Sequence, residues 1–505
     1  MAQFPALRQS LLAGAVAAAT SFLISTAAAQ PVDVSVQRVW QNAHADSGVD
    51  GQKAEIPAHD DRTDTLWVAG VVGIDVLDRA AGRQIAHISV TNFGAVNTVA
   101  IHNGLAALAI ENGVDRTLPG AVAFYDTRSR RQLGDPVTAG ALPDMPTFTP
   151  NGRQVLVANE GTPDPRAAAM PIRPDPPGSV SIIDVHSRQV KSLPIDASIP
   201  GFDTLRLFPE RGTLPTQQAA YSPYDPEPEY IAVDKTGEFA YVGLQEANGI
   251  AVLNLQTQAF EGIYNLGLKD FSLPGNEIDP NDQDGRIELR AAAVKGLYQP
   301  DTIATCEHKG RTYLVMANEG DARENGSTDG ADERLGRERD HRVCAGRLGA
   351  RPPGDVERRL GPRRPAGQVR RPFVLDPRHR RQDRLRQRQP ARPRGDPSRH
   401  LRRRAQRQQR GRAEGVALLH AEGRVLAFIG LERTTTAAFA VYDITDPADV
   451  RYVDMIVSPG DRSPEGLAAF RAGPRYFVAV ADEVSDTTSL FEVDVRKGPG
   501  LGRSQ

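Results

Sequence analysis

Cysteine is almost missing from this chain: two residues, Cys306 and Cys344, in 505. That excludes a disulfide scaffold and leaves no paired-cysteine motif for zinc or redox chemistry. Aromatic residues make up only 6%, with two Trp and five Met. No G-x-S-x-G elbow, no H-E-x-x-H helix and no phosphate-cradling P-loop occurs, so the common hydrolase and nucleotide-binding signatures are excluded. Of the ten His, His341, His379 and His400 lie in one basic segment, and the others have no ligand spacing. Isolated ones such as His102 and His186 read as surface or turn residues. After residue 24 no apolar run is long enough to span a bilayer.

What is present describes a soluble globular chain, 40% hydrophobic and 25% charged, rich in Gly (46) and Pro (38). Val, Ile, Thr and Tyr recur in short runs cut by turn residues, which favours strands. The first residues combine Arg8, an apolar stretch from Leu11 to Ile24, and small residues Ala27 and Ala29 before Gln30. This pattern reads as a secretory signal peptide over 1–29, cut after Ala29, and predicts a periplasmic or secreted protein with no transmembrane anchor in the mature chain.

The formal net charge of −2 hides an asymmetry. Residues 334–412 hold 27 Arg, no Lys and 7 acidic residues, so this segment carries +20 and the rest of the chain −22. The body is therefore acidic, with a basic segment inside it.

A unit of about four strands repeats through the acidic body. Its clearest copy is PEYIAVDKTGEFAYVGLQEANGIAVLNLQTQAFEGI (228–263), with a D-K-T-G turn between its first two strands. Further copies run over 97–133, 144–193, 413–456 and 464–495, with a degenerate first copy at 65–90 and half a copy at 299–323. Seven such units at a period near ~40 residues predict an all-β fold, a seven-bladed β-propeller of the YVTN/WD40-like kind. Insertions 194–227 and 264–298 read as loops, and VDVSVQRVW (32–40) as a strand that closes the ring in the last blade. The predicted organisation is blades one to five over 30–333, the Arg/Pro-rich segment 334–412 interrupting blade five, blades six and seven over 413–496, and a tail 497–505.

The runs DMPTFTPNGRQVLVANEG, LGLKDFSLPGNEIDPNDQDG, VKGLYQPDTIA, YLVMANEGDAR, AFIGLER and FVAVADEVSDTTSLFEV resemble the choice-of-anchor I family of bacterial secreted propeller proteins. More distantly the chain is similar to a eukaryotic mesenchyme-specific cell-surface glycoprotein. The resemblance covers 60–330 and 413–495 and implies the propeller fold; because some members are labelled alkaline phosphatase, it also implies a metal-dependent phosphomonoesterase as one possible activity. One departure is Phe271, which follows Lys269 and Asp270 where the family has His.

Aligning the units places a Glu at the end of the second strand in six of them: Glu111, Glu160, Glu246, Glu319, Glu432 and Glu483. A second acid opens the innermost strand at Asp144, Glu229, Asp301, Glu414 and Glu465. In a propeller both positions face the same end of the central channel. Such a crowd of carboxylates suits a hard cation, Ca²⁺ above all, and through it a ligand. Alternatively each Glu is a structural latch, bonded to backbone N–H groups or to a base such as Arg323 or Arg433. Asn318, Glu319, Asp321 and Arg323 gather the most polar copy. Asp282 and Asp284 in DPNDQDG are weaker metal candidates, since the loop lacks EF-hand spacing. Asp126, Asp184, Asn254 and Asp443 read as turn residues, and Cys306 as a buried free thiol.

The run LRRRAQRQQRGR (401–412) is basic enough to suggest a nucleic-acid arm. It replaces blade strands rather than adding to them, however, and the repeat resumes in register at AEGVALLH. Rich in Arg, Pro, Gly and Ala, the segment 334–412 reads as frameshifted or disordered sequence, and no nucleic-acid partner is predicted. The function expected is an extracytoplasmic propeller binding a small-molecule or protein ligand at an acidic channel mouth, with Ca²⁺ as a possible cofactor. The alternatives are the phosphomonoesterase and a non-catalytic surface protein.

Overall fold

The computed structural model describes residues 33–162, 176–207, 226–280, 288–320, 373–374, 412–434 and 436–496. The expected signal peptide, Asp282, Asp284, Asp321, Arg323, Cys344 and the tail lie outside these residues.

Strands form wherever short apolar runs are cut by residues that tolerate a left-handed turn. In D-K-T-G, Gly237 takes φ 71°, and the Asp234 carboxylate accepts the Thr236 hydroxyl at 3.0 Å and the Glu238 N–H at 3.0 Å. Asp126, Asp184, Asn254 and Asp443 do the same work at other strand ends, each accepting backbone N–H groups two or three residues on.

The architecture is a β-propeller. Ile56–Asp60, Thr65–Gly70, Gly73–Asp78 and Gln84–Ser89 make the first four-stranded antiparallel sheet. The second is built on Val96–His102, the third on Pro143–Phe148, the fourth on Pro228–Val233, the sixth on Arg412–Ala421 and the seventh on Pro464–Ala472. The first unit is thus complete, not degenerate; its inner strand starts ahead of the run that marks it in the sequence.

Among the described residues the expected count of seven blades is corrected to six complete ones. At the fifth position the described residues hold one long antiparallel pair, Pro300–His308 with Arg311–Asn318, and only the two-residue strand Phe373–Val374 alongside it in parallel. The inner strand of this pair still takes its place in the ring, between those of the fourth and sixth sheets.

Each second strand is buried on both faces, as in Thr65–Gly70 and Phe239–Leu244, because neighbouring sheets cover it from either side. Leu156, Val180, Val242 and Leu253 fill the space between the third and fourth sheets. Phe428, Phe439 and Phe491 fill that between the sixth and seventh, with Phe439 edge-on to Phe491 at 5.0 Å. Side chains of this size contribute roughly 1.5–3 kcal/mol each when fully buried. Cys306 is a buried free thiol, pushed up to about 11 by burial and then by Glu307. The insertion after the fourth sheet is not only loop: Leu268–Asp270 pairs with Lys295–Leu297, and Phe271 packs on Gly296.

The ring closes through its N-terminal strand. Asp33–Ala43 pairs antiparallel with Thr487–Arg496 as the outermost strand of the seventh sheet. At the end of that strand His44 is fully buried and bonds two sheets at once: Nδ1 to Asp75 of the first sheet at 2.6 Å and Nε2 to the Thr488 hydroxyl of the seventh at 2.8 Å.

The candidate channel-mouth site

In every sheet but the first, the first strand carries an irregularity at its start. Pairing with the second strand skips Asn97 in the second sheet, Asp144 in the third, Glu229 in the fourth, Asp301 in the fifth, Glu414 in the sixth and Glu465 in the seventh. A bulge leaves its residue out of the ladder and turns the side chain off the alternating pattern. In the first sheet Glu55 stands just ahead of the strand, with its N–H on the Ala69 carbonyl at 2.9 Å. Six of the seven inner strands therefore open on an acid, and that of the second sheet opens on Asn97, whose amide donates to the Pro143 carbonyl at 2.9 Å.

The second tier follows the second strands. Glu111, Glu160, Glu319 and Glu483 each come directly after one, Glu432 ends one, and Glu246 lies two residues beyond. On the side of the fifth to seventh sheets the tiers converge. Carboxylate oxygens of Glu319, Glu414 and Glu432 lie within 4.8 Å of one another, and so do those of Glu432, Glu465 and Glu483. Two glycines permit the approach. A Cβ on Gly415 would meet the Glu465 carbonyl at 2.5 Å, and one on Gly466 would meet the Glu55 carbonyl at 2.5 Å.

The electrostatic cost shows in the titration of these groups. Burial, then Glu160 and Asp301, pushes Asp144 well above the usual carboxylate range, and burial, then Glu246 and Asp301, does the same to Glu229. Burial and then Asp301 raise Glu414 and Glu465 in the same way. Asp301 is raised to about 8 by burial and then Glu319, and Glu55 to about 7 by burial and then Glu483. Glu160 moves up with burial, against the hydrogen bond it accepts from Thr162 at 2.7 Å. Each acid feels the others, as a shared mouth requires.

Some of these acids do have partners, as the latch alternative requires. Arg116 lies 3.5 Å from Glu111. Arg412 pairs with Glu319 at 2.6 Å, and Gln245 donates to the same carboxylate at 2.9 Å. Arg433 bonds Glu432 at 2.9 Å. The partnering is incomplete: Glu414, 8% exposed, makes no side-chain hydrogen bond among the described residues, and in both Glu414 and Glu432, the latter 6% exposed, Oε2 is buried with no hydrogen-bond partner. Glu229 Oε2 is in the same condition, as is Asn318 Oδ1. A buried carboxylate oxygen without a donor costs on the order of 1–3 kcal/mol or more. An all-oxygen cluster with such atoms fits a hard cation of the Ca²⁺ class; Glu319, Glu414, Glu432, Glu465 and Glu483 would hold it.

Sequence reasoning missed several of these residues. Glu55 lies ahead of a first copy read from residue 65, although the pairs Ala54–Glu55 and Ala413–Glu414 match. Arg412, assigned to the Arg-rich segment, is the first residue of the sixth inner strand. Asp482, next to Glu483, is fully buried with neither carboxylate oxygen bonded, and burial followed by Asp461 pushes it well up. The repeat does mark its position, since Asn159, Gln245 and Asn318 stand directly before the Glu of their own copies.

A propeller with an acidic mouth is the class that fold and site define. The choice-of-anchor I domain model matches residues 55–366, more than half of the chain and past residue 333 into the Arg-rich segment. The chain belongs to the choice-of-anchor I family, whose domains belong to bacterial extracellular proteins. No curated protein matches. Among solved structures the chain is similar to Kuenenia stuttgartiensis hydrazine synthase at 18% identity, over 39% of this chain and 51% of that one, with TM-score 0.29. It therefore spans about half the length of that relative. It is also similar to the β-propeller domain of Myceliophteria thermophila Cps50 (Swd1), at 9% identity over 91% of this chain and 100% of that one, with TM-score 0.45. No helix among the described residues is long and apolar enough to cross a membrane.

Proposed function

We propose that this is an extracytoplasmic ligand-binding propeller, exported by the signal peptide 1–29, whose channel mouth binds Ca²⁺ and through it a small-molecule or protein partner. The observation that carries the reading is Glu414: a carboxylate 8% exposed, with no hydrogen-bond or ion-pair partner among the described residues, set within 4.8 Å of two more carboxylates. A structural latch has no use for an acid without a donor. Calorimetric titration of the chelator-treated chain with Ca²⁺ tests it. Binding that is weaker or smaller in Glu414→Gln is expected; no heat, and no calcium-dependent rise in melting temperature, would remove the reading.

The second reading, a metal-dependent phosphomonoesterase, is supported by Arg412 and Arg433, which bring guanidinium groups suited to phosphate recognition into the same carboxylate cluster. Turnover of a generic phosphoester that EDTA abolishes separates the enzyme from the binding protein. A purely structural surface protein would show neither turnover nor calcium dependence.

A further inference from the structure

The mouth acids are not spread evenly. Glu319, Glu414 and Glu432 form one group of three and Glu432, Glu465 and Glu483 a second, each with its oxygens within 4.8 Å. Glu432 belongs to both. It ends the strand Arg424–Glu432 between the inner strands of the sixth and seventh sheets. That position puts Glu414 of its own sheet on one side and Glu465 of the next on the other, with Gly415 packed on the Glu465 carbonyl between them.

Resting on the Ca²⁺ reading above, we propose that the mouth holds two divalent cations, one between Glu319, Glu414 and Glu432 and the other between Glu432, Glu465 and Glu483, with the Glu432 carboxylate bridging them. The groups point to ligands independently of their charge. Glu432 is 6% exposed and its Oε2 meets no donor, while Oε1 is oriented by Arg433 at 2.9 Å. Glu414 has an unpartnered buried oxygen as well, and Glu465 and Glu483 make no side-chain hydrogen bond or ion pair among the described residues. Five carboxylates face two guanidiniums here, Arg412 and Arg433. One divalent cation would leave the fully ionised group negative. A second would bring it to a single positive charge, no further from neutrality than one ion leaves it, and a carboxylate shared between two ions is a common way to hold them a few ångströms apart.

Stoichiometry separates the two levels of the proposal. The full chain, stripped with chelator and titrated with Ca²⁺ alone by calorimetry and by metal analysis after dialysis, is expected to take two ions. Glu414→Gln and Glu483→Gln each remove one, and Glu432→Gln weakens both by more than about 100-fold, as loss of a ligand common to two sites requires. Two ions lost separately by the two outer variants support the bridge even if Glu432→Gln fails to fold. One ion in the wild-type chain, unaffected by Glu483→Gln, overturns the second position and leaves the calcium reading standing. No bound ion at all overturns both.

Discussion

Asp75 and Glu414 are both buried carboxylates of one ring, yet their surroundings are opposite. Asp75, at the seam where the ring closes, accepts from His44 at 2.6 Å, His87 at 2.7 Å and Gln84 at 2.9 Å. Asp461, in the loop between the sixth and seventh sheets, accepts from Thr487 and Ser489 at 2.7 Å and from Gln41 and Arg38 of the closing strand. Glu414 at the mouth accepts nothing. A carboxylate that folding needs is surrounded by donors from the elements it joins, whereas one kept for a ligand is left with open positions. On the proposed reading the seam is structural and the mouth is functional, and each side can be broken separately.

The seam has the larger effect. Asp75→Ala leaves the donors of His44, His87 and Gln84 without their acceptor inside the protein, and breaking a buried pair of this kind costs about 3–5 kcal/mol. Urea denaturation should show that loss with no change in calcium affinity. Wild-type stability in this variant would end the seam's structural role. The mouth predicts the reverse sign: Glu414→Gln removes a like charge from a crowd, so the calcium-free protein gains about 1–2 kcal/mol at pH 8 while its calcium-dependent stabilisation is reduced. A loss of stability in calcium-free buffer would make Glu414 another Asp75.

Most of the fold was legible because blades repeat. A strand sandwiched between neighbours must be apolar on both faces, and its turns need Asp, Asn or Gly, so the runs at 228–263 and 413–456 announce themselves. The closing strand was legible in Val32–Trp40 for the same reason. The mouth acids were legible as a column, since the same register recurs, but not which of them converge; that depends on bulges and on Gly415 and Gly466, which pattern alone does not rank. The seam was not legible at all. His44, Asp75 and Thr488 come from distant parts of the chain, occur once, and meet only because the ring closes. Among the described residues the fifth sheet has fewer than the expected four strands, and this is where the repeat stops at residue 323 and Arg-rich sequence follows. Translating 334–412 in the other two frames of the gene tests the frameshift reading, and failure of both to restore alternating strands would reject it.

Acidity of the mouth also gives the molecule a pH dependence. Asp301 and Glu55 titrate near 8 and 7 in the folded chain, above their ordinary values of 3.8 and 4.5. The folded state thus binds more protons than the unfolded one between those limits, and stability falls as pH rises through them. Calcium-free protein should lose several kcal/mol, on the order of 5, between pH 5 and pH 9, most of it below pH 8, in denaturant titrations at matched ionic strength. Saturating Ca²⁺ should flatten the decline, because the cation replaces the proton as counter-charge. Equal slopes with and without calcium would place the titrating groups away from the cation.

Asn97 offers the finest probe, since it is the one inner-strand position where the ring has an amide instead of an acid. Its Nδ2 donates to the Pro143 carbonyl at 2.9 Å, next to Asp144. In Asn97→Asp an ionised carboxylate cannot donate, so the bond is lost and a further charge faces a group that burial, Glu160 and Asp301 already push upward. At pH 8 the expected cost is about 1 kcal/mol. Near pH 4 the new carboxyl is protonated, its O–H donates to the same carbonyl, and the cost should vanish. A penalty independent of pH would mean that Asn97 matters by shape alone and that the second sheet stands outside the electrostatics of the mouth.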